Sequence, residues 1–384
     1  MTTKNVFSHE AIGAFYLTMF SLLAPLTHTS GNSTLILFGA LFFCLLLNAL
    51  LVFAKKKKGN YKFIIKTTLC ISFLFLFDSA FRYNNLISDC LYGFVLYGVL
   101  TIYFISFISN YNLFLKVYVL LSIASGFLHA FDPFMGYKWS NNYMEFGFVT
   151  MLPAFAATVI AVFHFKYKLA IIPLFIFLLE IMICSNKGSL LTAIVIFIFG
   201  IVYINNNLKF NLKTIVLLII ISLVLYLSVS SIFQLLISIA EYYGIDSYSL
   251  GSIYEMISHG GLIGSNSDTR TPIWKDAWNM YLSHPIFGNG IGAFASKHDG
   301  YEHNIFLEIL NSWGILGLSI FVISFFRSRA ALNRMKDLDR KVISVVFMLI
   351  AIIPLLISMT FWKYQFFWAF FAITLCKPYN YKRI

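Results

Sequence analysis

The sequence predicts an all-α polytopic membrane protein with about 12 transmembrane helices, and two observations carry that prediction. First, 59% of the 384 residues are hydrophobic and only 11% are charged, whereas soluble domains carry about 25% charged residues. Second, the apolar residues lie in long continuous runs, and a helix needs about 20 apolar residues to cross a bilayer. A transmembrane β-barrel would instead show short segments of alternating polarity, so the runs exclude it.

Twelve apolar runs follow one another along the chain, and each predicts one span. The runs are Ile12–Leu26, Thr34–Ala54, Phe63–Phe81, Leu86–Ile108, Leu113–Phe131, Phe146–Phe163, Leu169–Cys184, Leu190–Ile204, Thr214–Ile237, Ile305–Phe326, Val342–Thr360 and Phe366–Cys376. The first run follows a weakly basic start without a small-residue cleavage motif, so we interpret it as a retained span and not as a signal peptide.

The basic residues predict the orientation of these spans. With both termini in the cytoplasm, 21 of the 28 lysines and arginines fall in cytoplasmic segments, as the positive-inside rule requires. The formal net charge of +12 is then explained by topology and by contacts with membrane lipids. Binding of nucleic acid is not needed to account for it.

We predict a single integral membrane domain over residues 1–384, with one long outer loop at residues 238–302 between spans nine and ten. Loops of this length are usually functional, and we expect a short amphipathic helix in it near Ser252–Ser258. The five cysteines are scattered and form no CxxC pair, so no zinc site or disulfide framework is indicated. No paired Asp-x-Asp and no close pair of histidines lies in the outer segments, so we expect no metal and no cofactor.

The polar stretch Asp268–Gly317 is the part of the chain best equipped for chemistry. A cation, Arg270, opens it, and Thr271 with Pro272 is typical of a helix start. Apolar residues then recur at helical spacing until Pro285 ends the helix. After a glycine-rich turn, His303-Asn304 precedes a new apolar helix.

The motifs of this stretch keep their order and spacing. They are Arg270, Trp274, His284-Pro285-x-x-Gly288-x-Gly290, His303-Asn304-x-x-Leu307-Glu308 and Gly314-Ile315-Leu316-Gly317. Together they resemble the shared C-terminal signature of bacterial O-antigen polymerases and O-antigen ligases. The resemblance implies a type-C glycosyltransferase-like fold. It also implies an inverting, metal-independent transfer at the periplasmic face, with an undecaprenyl-diphosphate-linked oligosaccharide as the donor.

The resemblance assigns roles to three outer residues. Arg270 would bind the donor diphosphate, where a fixed cation can offset the charge that builds on the leaving group. Lys187, in the segment Cys184-Ser-Asn-Lys187-Gly188-Ser189, would do the same, although the family's Ser-Arg-Gly motif has arginine at this position and lysine lacks its bidentate fork. His303 would be the catalytic base, kept neutral by its place at a helix N-terminus.

Each assignment has a simpler alternative. In these alternatives His303 is only a solvated side chain, and Arg270 forms a salt bridge with Asp268 or Asp276. Lys187 only anchors a helix end at the lipid headgroups. Trp274 and Trp278 are then packing or interfacial residues.

The supporting residues are Asn304, Trp274 and Glu180. An acid within a span is a functional candidate, and Glu180 lies seven residues before Lys187, which on one helix gives nearly the same face. Pairing with a basic neighbour is the alternative for Glu180. Asp78 and Arg82, spaced i,i+4 at the outer end of span three, predict a structural ion pair.

These observations favour an O-antigen polymerase of the bacterial inner membrane, with an active site in the periplasm. Its expected partners are undecaprenyl-diphosphate-linked oligosaccharide and membrane lipids, and the resemblance also allows a chain-length regulator protein. The 42 Phe and 22 Tyr residues, with many Ile, Lys and Asn, suit the AT-rich clusters that encode polymerases. An O-antigen ligase, which transfers the chain to lipid A–core, shares every motif. A flippase or transporter is less favoured, because its charged residues would lie near the bilayer midplane and its halves would be related.

Overall fold

The computed structural model describes residues 8–29, 33–55, 61–82, 84–204, 270–298 and 300–376, with a few residues between 234 and 244. This part of the chain consists of helices and turns and has no strand. Nine helices within it are long and apolar enough to cross a membrane. The chain is therefore an all-α polytopic membrane protein, as the sequence predicts.

The helices are numbered here in chain order. They are α1 (His9–Thr29), α2 (Ser33–Lys55), α3 (Tyr61–Phe81), α4 (Ile87–Ser106), α5 (Tyr111–His129), α6 (Tyr143–Phe163), α7 (Ile171–Cys184), α8 (Lys187–Ile204), α9 (Arg270–Ser283), α10 (Ala293–His298), α11 (Ile305–Arg334), α12 (Leu338–Ile357) and α13 (Gln365–Leu375).

Every predicted run that falls within the described residues coincides with one of these helices. The run Thr214–Ile237 falls almost entirely outside those residues, as does the amphipathic helix expected near Ser252–Ser258. Because α7 and α13 are shorter than the helices that qualify as spans, the number of 12 crossings stays a prediction. The predicted ends agree with the helix ends to within a few residues, except that α11 continues past Phe326 to Arg334. α12 stops at Ile357, and Ser358 and the residues after it form a loop.

The chain forms two compact units. The first comprises Met1–Leu17, Cys44–Leu115 and Ser267–Ile384. In it α13 packs against α12, α4 and α11, while α9 packs against α11. Aromatic side chains fill the space between these helices; the ring centroids of Phe94 and Trp368 are 5.2 Å apart, and those of Trp313 and Trp362 are 5.3 Å apart. Tilted and edge-on aromatic pairs of this kind stabilise a core beyond the area that they bury.

The second unit comprises Thr18–Phe43 and Lys116–Asn266. Its central helix is α6, which packs against α7 and α8 and buries every residue from Leu152 to Ala161. Small residues allow this close packing, since a Cβ atom on Gly200 of α8 would lie 2.6 Å from Val159 of α6.

One basic residue that the sequence marks as a topology signal also holds the first unit together. Arg340 is buried, and its guanidinium donates hydrogen bonds to the carbonyls of Ile373 and Cys376 at the end of α13. The last carbonyls of a helix have no partner within the helix, and a basic side chain can satisfy them. Arg340 therefore caps α13 from the first turn of α12.

Candidate functional site

Arg270 is the first residue of α9, so the helix begins two residues before Pro272, the predicted first helical residue, and includes the predicted cap Thr271. Pro272 consequently falls in the first turn. It is tolerated there because the first four N–H groups of a helix have no intrahelical partner. Arg270 is half-buried.

The helix that follows His303 is broken one third of the way along. Gly314 in α11 has φ 65° and ψ −158°, a conformation that is essentially restricted to glycine. The backbone groups around the break need other partners, because irregular backbone at membrane depth is tolerated only where protein satisfies it.

The glycine turn, residues 284–292, supplies those partners. Its backbone hydrogen bonds to α11 run from Asn289 N to Asn311 O (2.6 Å), Gly290 N to Ser312 O (3.2 Å), Ile315 N to Pro285 O (2.9 Å) and Leu316 N to Ile286 O (3.4 Å). Gly288 makes this approach possible. Its φ is +72°, and a Cβ atom there would lie 2.5 Å from Trp313 N. The motif that contains Gly288 and the motif that begins at Gly314 are therefore in direct contact with each other.

A side chain joins α9 to α11 directly. Asn311 is buried, and its Nδ2 donates to Ala277 O of α9 and to Leu307 O of α11, both at 3.1 Å. The side-chain bond and the glycine turn fix the helix that begins at Arg270 against the helix that follows His303.

His303 occupies a special backbone position just before α11. Its φ is 53°, in the left-handed region that only a few per cent of non-glycine residues adopt. The ring Nδ1 lies 3.2 Å from Ser358 O, and a carbonyl can only accept, so Nδ1 carries the proton. In the neutral ring, Nε2 is left with a lone pair that can accept a proton.

The surroundings of His303 favour that neutral ring. Burial lowers its pKa from the ordinary 6.5, the hydrogen bond to Ser358 acts in the opposite direction, and the positive charge of Arg270 lowers the pKa further. Arg270 and His303 are 33 residues apart in the sequence and belong to one compact unit. In that unit, Asn311 and the glycine turn fix the helix that begins at Arg270 against the helix that follows His303.

Asn304 caps α11 and also forms a hydrogen bond to the end of α12. Its Oδ1 accepts hydrogen bonds from Phe306 N (2.9 Å) and Leu307 N (3.3 Å), the usual role of an N-cap side chain. Its Nδ2 donates to Leu356 O at 3.3 Å, near the end of α12.

Two buried acids flank this group. Glu308 accepts a hydrogen bond from the Thr360 hydroxyl, and Phe361 N lies 3.5 Å from its carboxylate. Glu302 is also buried, and burial raises its pKa to about 7. Sequence reasoning gave Glu308 no role, although an acid in an apolar run is a recognisable signal. No group of three or more His, Cys, Asp or Glu side chains among the described residues is placed to hold a metal ion.

Lys187 belongs to the second unit, where it is the first residue of α8. Asn186 caps this helix by accepting a hydrogen bond from Ser189 N at 2.9 Å. Asparagine and serine are equivalent N-caps, so the change from the family's Ser-Arg-Gly motif preserves the helix start that presents the cation.

The predicted relation between Glu180 and Lys187 is wrong. α7 ends at Cys184, and both Ser185 and Asn186 have extended backbone conformations. The two side chains therefore lie on different helices, and seven-residue spacing does not put them on one face. Glu180 is half-buried, and its Oε2 has no hydrogen-bond partner among the described residues.

The two tryptophans of α9 differ in their surroundings. Trp274 is half-buried, and its indole Nε1 has no hydrogen-bond partner in the part of the chain that the structure describes. Trp278 is exposed and packs on Tyr281, with ring centroids 5.2 Å apart.

Comparison with known proteins adds one finding. Residues 172–322 match a family model described as O-antigen ligase. The match shows that this segment, less than half of the chain, is similar to that family. Neither the curated proteins nor the solved structures give a match.

The superfamily segment contains Lys187, Arg270 and His303, and ends within α11. The Ser358–Phe361 loop, which contacts His303 and Glu308, lies outside the matched residues.

Proposed function

We propose that this chain is an O-antigen polymerase with a type-C glycosyltransferase-like fold. It joins undecaprenyl-diphosphate-linked oligosaccharide repeat units at the periplasmic face of the bacterial inner membrane, by inverting transfer that needs no metal. The observation that carries the proposal is that Arg270 and His303 lie in one compact unit, where Asn311 and the glycine turn fix the helix that begins at Arg270 against the helix that follows His303. Burial and the positive charge of Arg270 lower the pKa of the ring, while Ser358 O holds Nδ1 and leaves Nε2 as a proton acceptor.

The chemistry follows from these two groups. The acceptor hydroxyl loses its proton to Nε2 of His303 as its oxygen forms a bond to the anomeric carbon of the donor. The bond from that carbon to the diphosphate oxygen breaks at the same time, and the diphosphate departs with the electron pair. Arg270 offsets the negative charge that develops on the diphosphate, as fixed cations do in other transfer reactions.

Other residues support this assignment. We assign Lys187 to the donor diphosphate as well. It lies at the start of α8 and carries the positive charge that arginine supplies in the family's motif. Asn304 holds His303 in place by capping α11. Trp274 and Glu180 each have a buried polar atom without a described partner, and we retain both as contacts for the substrate.

Purified enzyme with a lipid-linked donor tests the two cations. Arg270→Ala should abolish product, whereas Arg270→Lys should retain a reduced rate because the charge is kept. Lys187→Arg should match or exceed the unmodified enzyme, while full activity of Lys187→Ala would remove Lys187 from the site. Activity should also persist in EDTA, and strict dependence on an added divalent metal would overturn the role given to these side chains.

The ligase remains the second candidate, because the matching family model bears that description. Composition favours the polymerase, with 42 Phe and 22 Tyr among 384 residues. Deletion of the gene in its bacterium, with lipopolysaccharide analysed on a gel, separates the two. Core with a single repeat unit indicates loss of a polymerase. Bare core with accumulated lipid-linked polymer indicates loss of a ligase, and an unchanged ladder would exclude both.

A further inference from the structure

The ion pair that the i,i+4 spacing predicts is present at the end of α3. Arg82 Nε lies 3.3 Å from Asp78 Oδ1, and the Asp78 side chain is only 2% exposed. Neither residue belongs to the segment that matches the superfamily. A buried carboxylate is costly unless hydrogen bonds satisfy its remaining oxygen, so the second oxygen of Asp78 needs a partner.

That partner lies in the glycine turn, more than 200 residues later in the chain. Asp78 Oδ2 accepts a hydrogen bond from Ile291 N at 2.8 Å. Asn84 Nδ2 donates to Ile291 O at 2.7 Å. Both backbone groups of Ile291 are thus bound by side chains from the segment that ends α3.

Arg82 holds the other end of the same turn. Its Nη1 donates to Phe287 O at 3.0 Å and to Gly288 O at 2.7 Å. One guanidinium therefore bridges the Asp78 carboxylate and two carbonyls, a geometry that the planar fork of arginine provides and a lysine ammonium cannot reproduce.

The opposite side of the turn closes the break in α11. Asn289 N and Gly290 N bond to α11 before Gly314, and the carbonyls of Pro285 and Ile286 accept from α11 after it. The turn also follows directly from α9, which begins with Arg270. Its position therefore sets how α9 meets α11.

We propose that Asp78, Arg82 and Asn84 are positioning residues of the transfer site. They clamp the glycine turn to the end of α3 and thereby keep Arg270 in the position relative to His303 that the transfer reaction needs. The effect on turnover rests on the proposed function, whereas the effect on the α9–α11 distance does not.

Kinetics of the purified full chain give the first test. We expect Arg82→Gln and Asp78→Asn to lower kcat by about 10- to 100-fold, the scale on which small misplacements act, with little change in the KM for lipid-linked donor. Arg82→Lys should lose less, because it keeps the pair with Asp78. The matched control is Asp89→Asn, since Asp89 forms an exposed ion pair with Lys363 at 2.7 Å and such pairs contribute little.

Spin labels give the second test, which is independent of activity. Leu282→Cys on α9 and Phe306→Cys on α11, both at exposed positions, are labelled in a chain whose Cys70 and Cys90 are replaced by serine. The distance distribution measured by electron–electron double resonance should widen or shift in Arg82→Gln and stay unchanged in Asp89→Asn.

The outcomes separate the two hypotheses. An unchanged distribution in Arg82→Gln overturns the clamp, whatever the activity. A widened distribution in a protein that has neither polymerase nor ligase activity upholds the clamp and overturns the proposed function. Equal loss of kcat in Arg82→Gln and Asp89→Asn also contradicts the clamp, because the exposed pair does not touch the turn.

Discussion

At the residue scale, the arrangement around His303 selects one ring nitrogen for chemistry. Ser358 O occupies Nδ1 at 3.2 Å, so Nε2 is the atom that can take up a proton. Burial and Arg270 keep the ring neutral, which adds to the effect expected from the N-terminus of α11. The adjacent Glu302 is the competing base, since its pKa is raised to about 7.

Substitution of His303 by glutamine tests proton transfer. Glutamine keeps a donor and an acceptor but cannot take up a proton near neutral pH, so His303→Gln should lower turnover by about 10² to 10⁴ if the ring is a general base. Turnover of lipid-linked donor by purified enzyme measures this. The matched control is His298→Gln at the exposed end of α10, which should retain its activity. Near-normal turnover of His303→Gln would reduce His303 to a binding residue.

The pH profile distinguishes His303 from Glu302 as the base. A base works above its pKa, so kcat/KM falls as the pH drops through that value. Because the pKa of His303 is lowered from 6.5, we expect the acid limb of kcat/KM to lie below pH 6.5. An acid limb near pH 7 would instead match the pKa of Glu302. Loss of that limb in Glu302→Gln would then assign the base to Glu302.

At the element scale, the site depends on a helix, α11, that is interrupted by a break in its backbone. α11 is broken at Gly314, and the glycine turn pairs with the backbone on both sides of the break. Sequence periodicity predicts α9 and α11 but shows no break in α11, because Gly314 lies inside an apolar run. Gly288, Gly290 and Gly292 indicate only a turn between the two helices. The close approach of Gly288 to Trp313 gives those glycines a steric reason.

Replacement of Gly314 by alanine should disrupt this contact. The backbone conformation alone costs about 1 to 3 kcal/mol for a residue with a Cβ, and that Cβ would also collide with Ile286 O. We expect Gly314→Ala to lower the melting temperature in detergent and to reduce turnover. Gly39→Ala is the control, since its Cβ meets nothing within 4 Å and alanine favours the helix by about 1 kcal/mol. Equal melting temperatures for both variants would contradict the close approach at Gly314.

At the scale of the whole molecule, the two compact units each contain one of the proposed cations. Lys187 begins α8 in the second unit and Arg270 begins α9 in the first. The split of basic residues, 21 of 28 in the segments assigned to the cytoplasm, predicts that both cations and His303 face the periplasm. Transfer between two lipid-linked sugars requires them on the same side of the membrane.

Labelling of single cysteines tests this topology. Cysteines beside Lys187, Arg270 and His303 should react with a membrane-impermeant thiol reagent in intact cells whose outer membrane is permeabilised. Lys336→Cys, at an exposed position in the predicted cytoplasmic loop before α12, should react only after the inner membrane is broken. If the cysteine beside Lys187 behaves like Lys336→Cys, Lys187 cannot contact a periplasmic donor.

The sequence by itself determined the fold class and the residues on which the proposal depends. An apolar run long enough to cross a bilayer is stable there as a helix, because a helix satisfies its own backbone hydrogen bonds. The motif spacing singled out Arg270 and His303. Tertiary structure alone decided what surrounds them. The clamp of Asp78 and Arg82 on the glycine turn, and the contact of Ser358 with His303, join residues far apart in the chain. No local pattern encodes such contacts, and the same limit made the predicted shared helix face of Glu180 and Lys187 wrong, because a two-residue extended segment ended the helix between them.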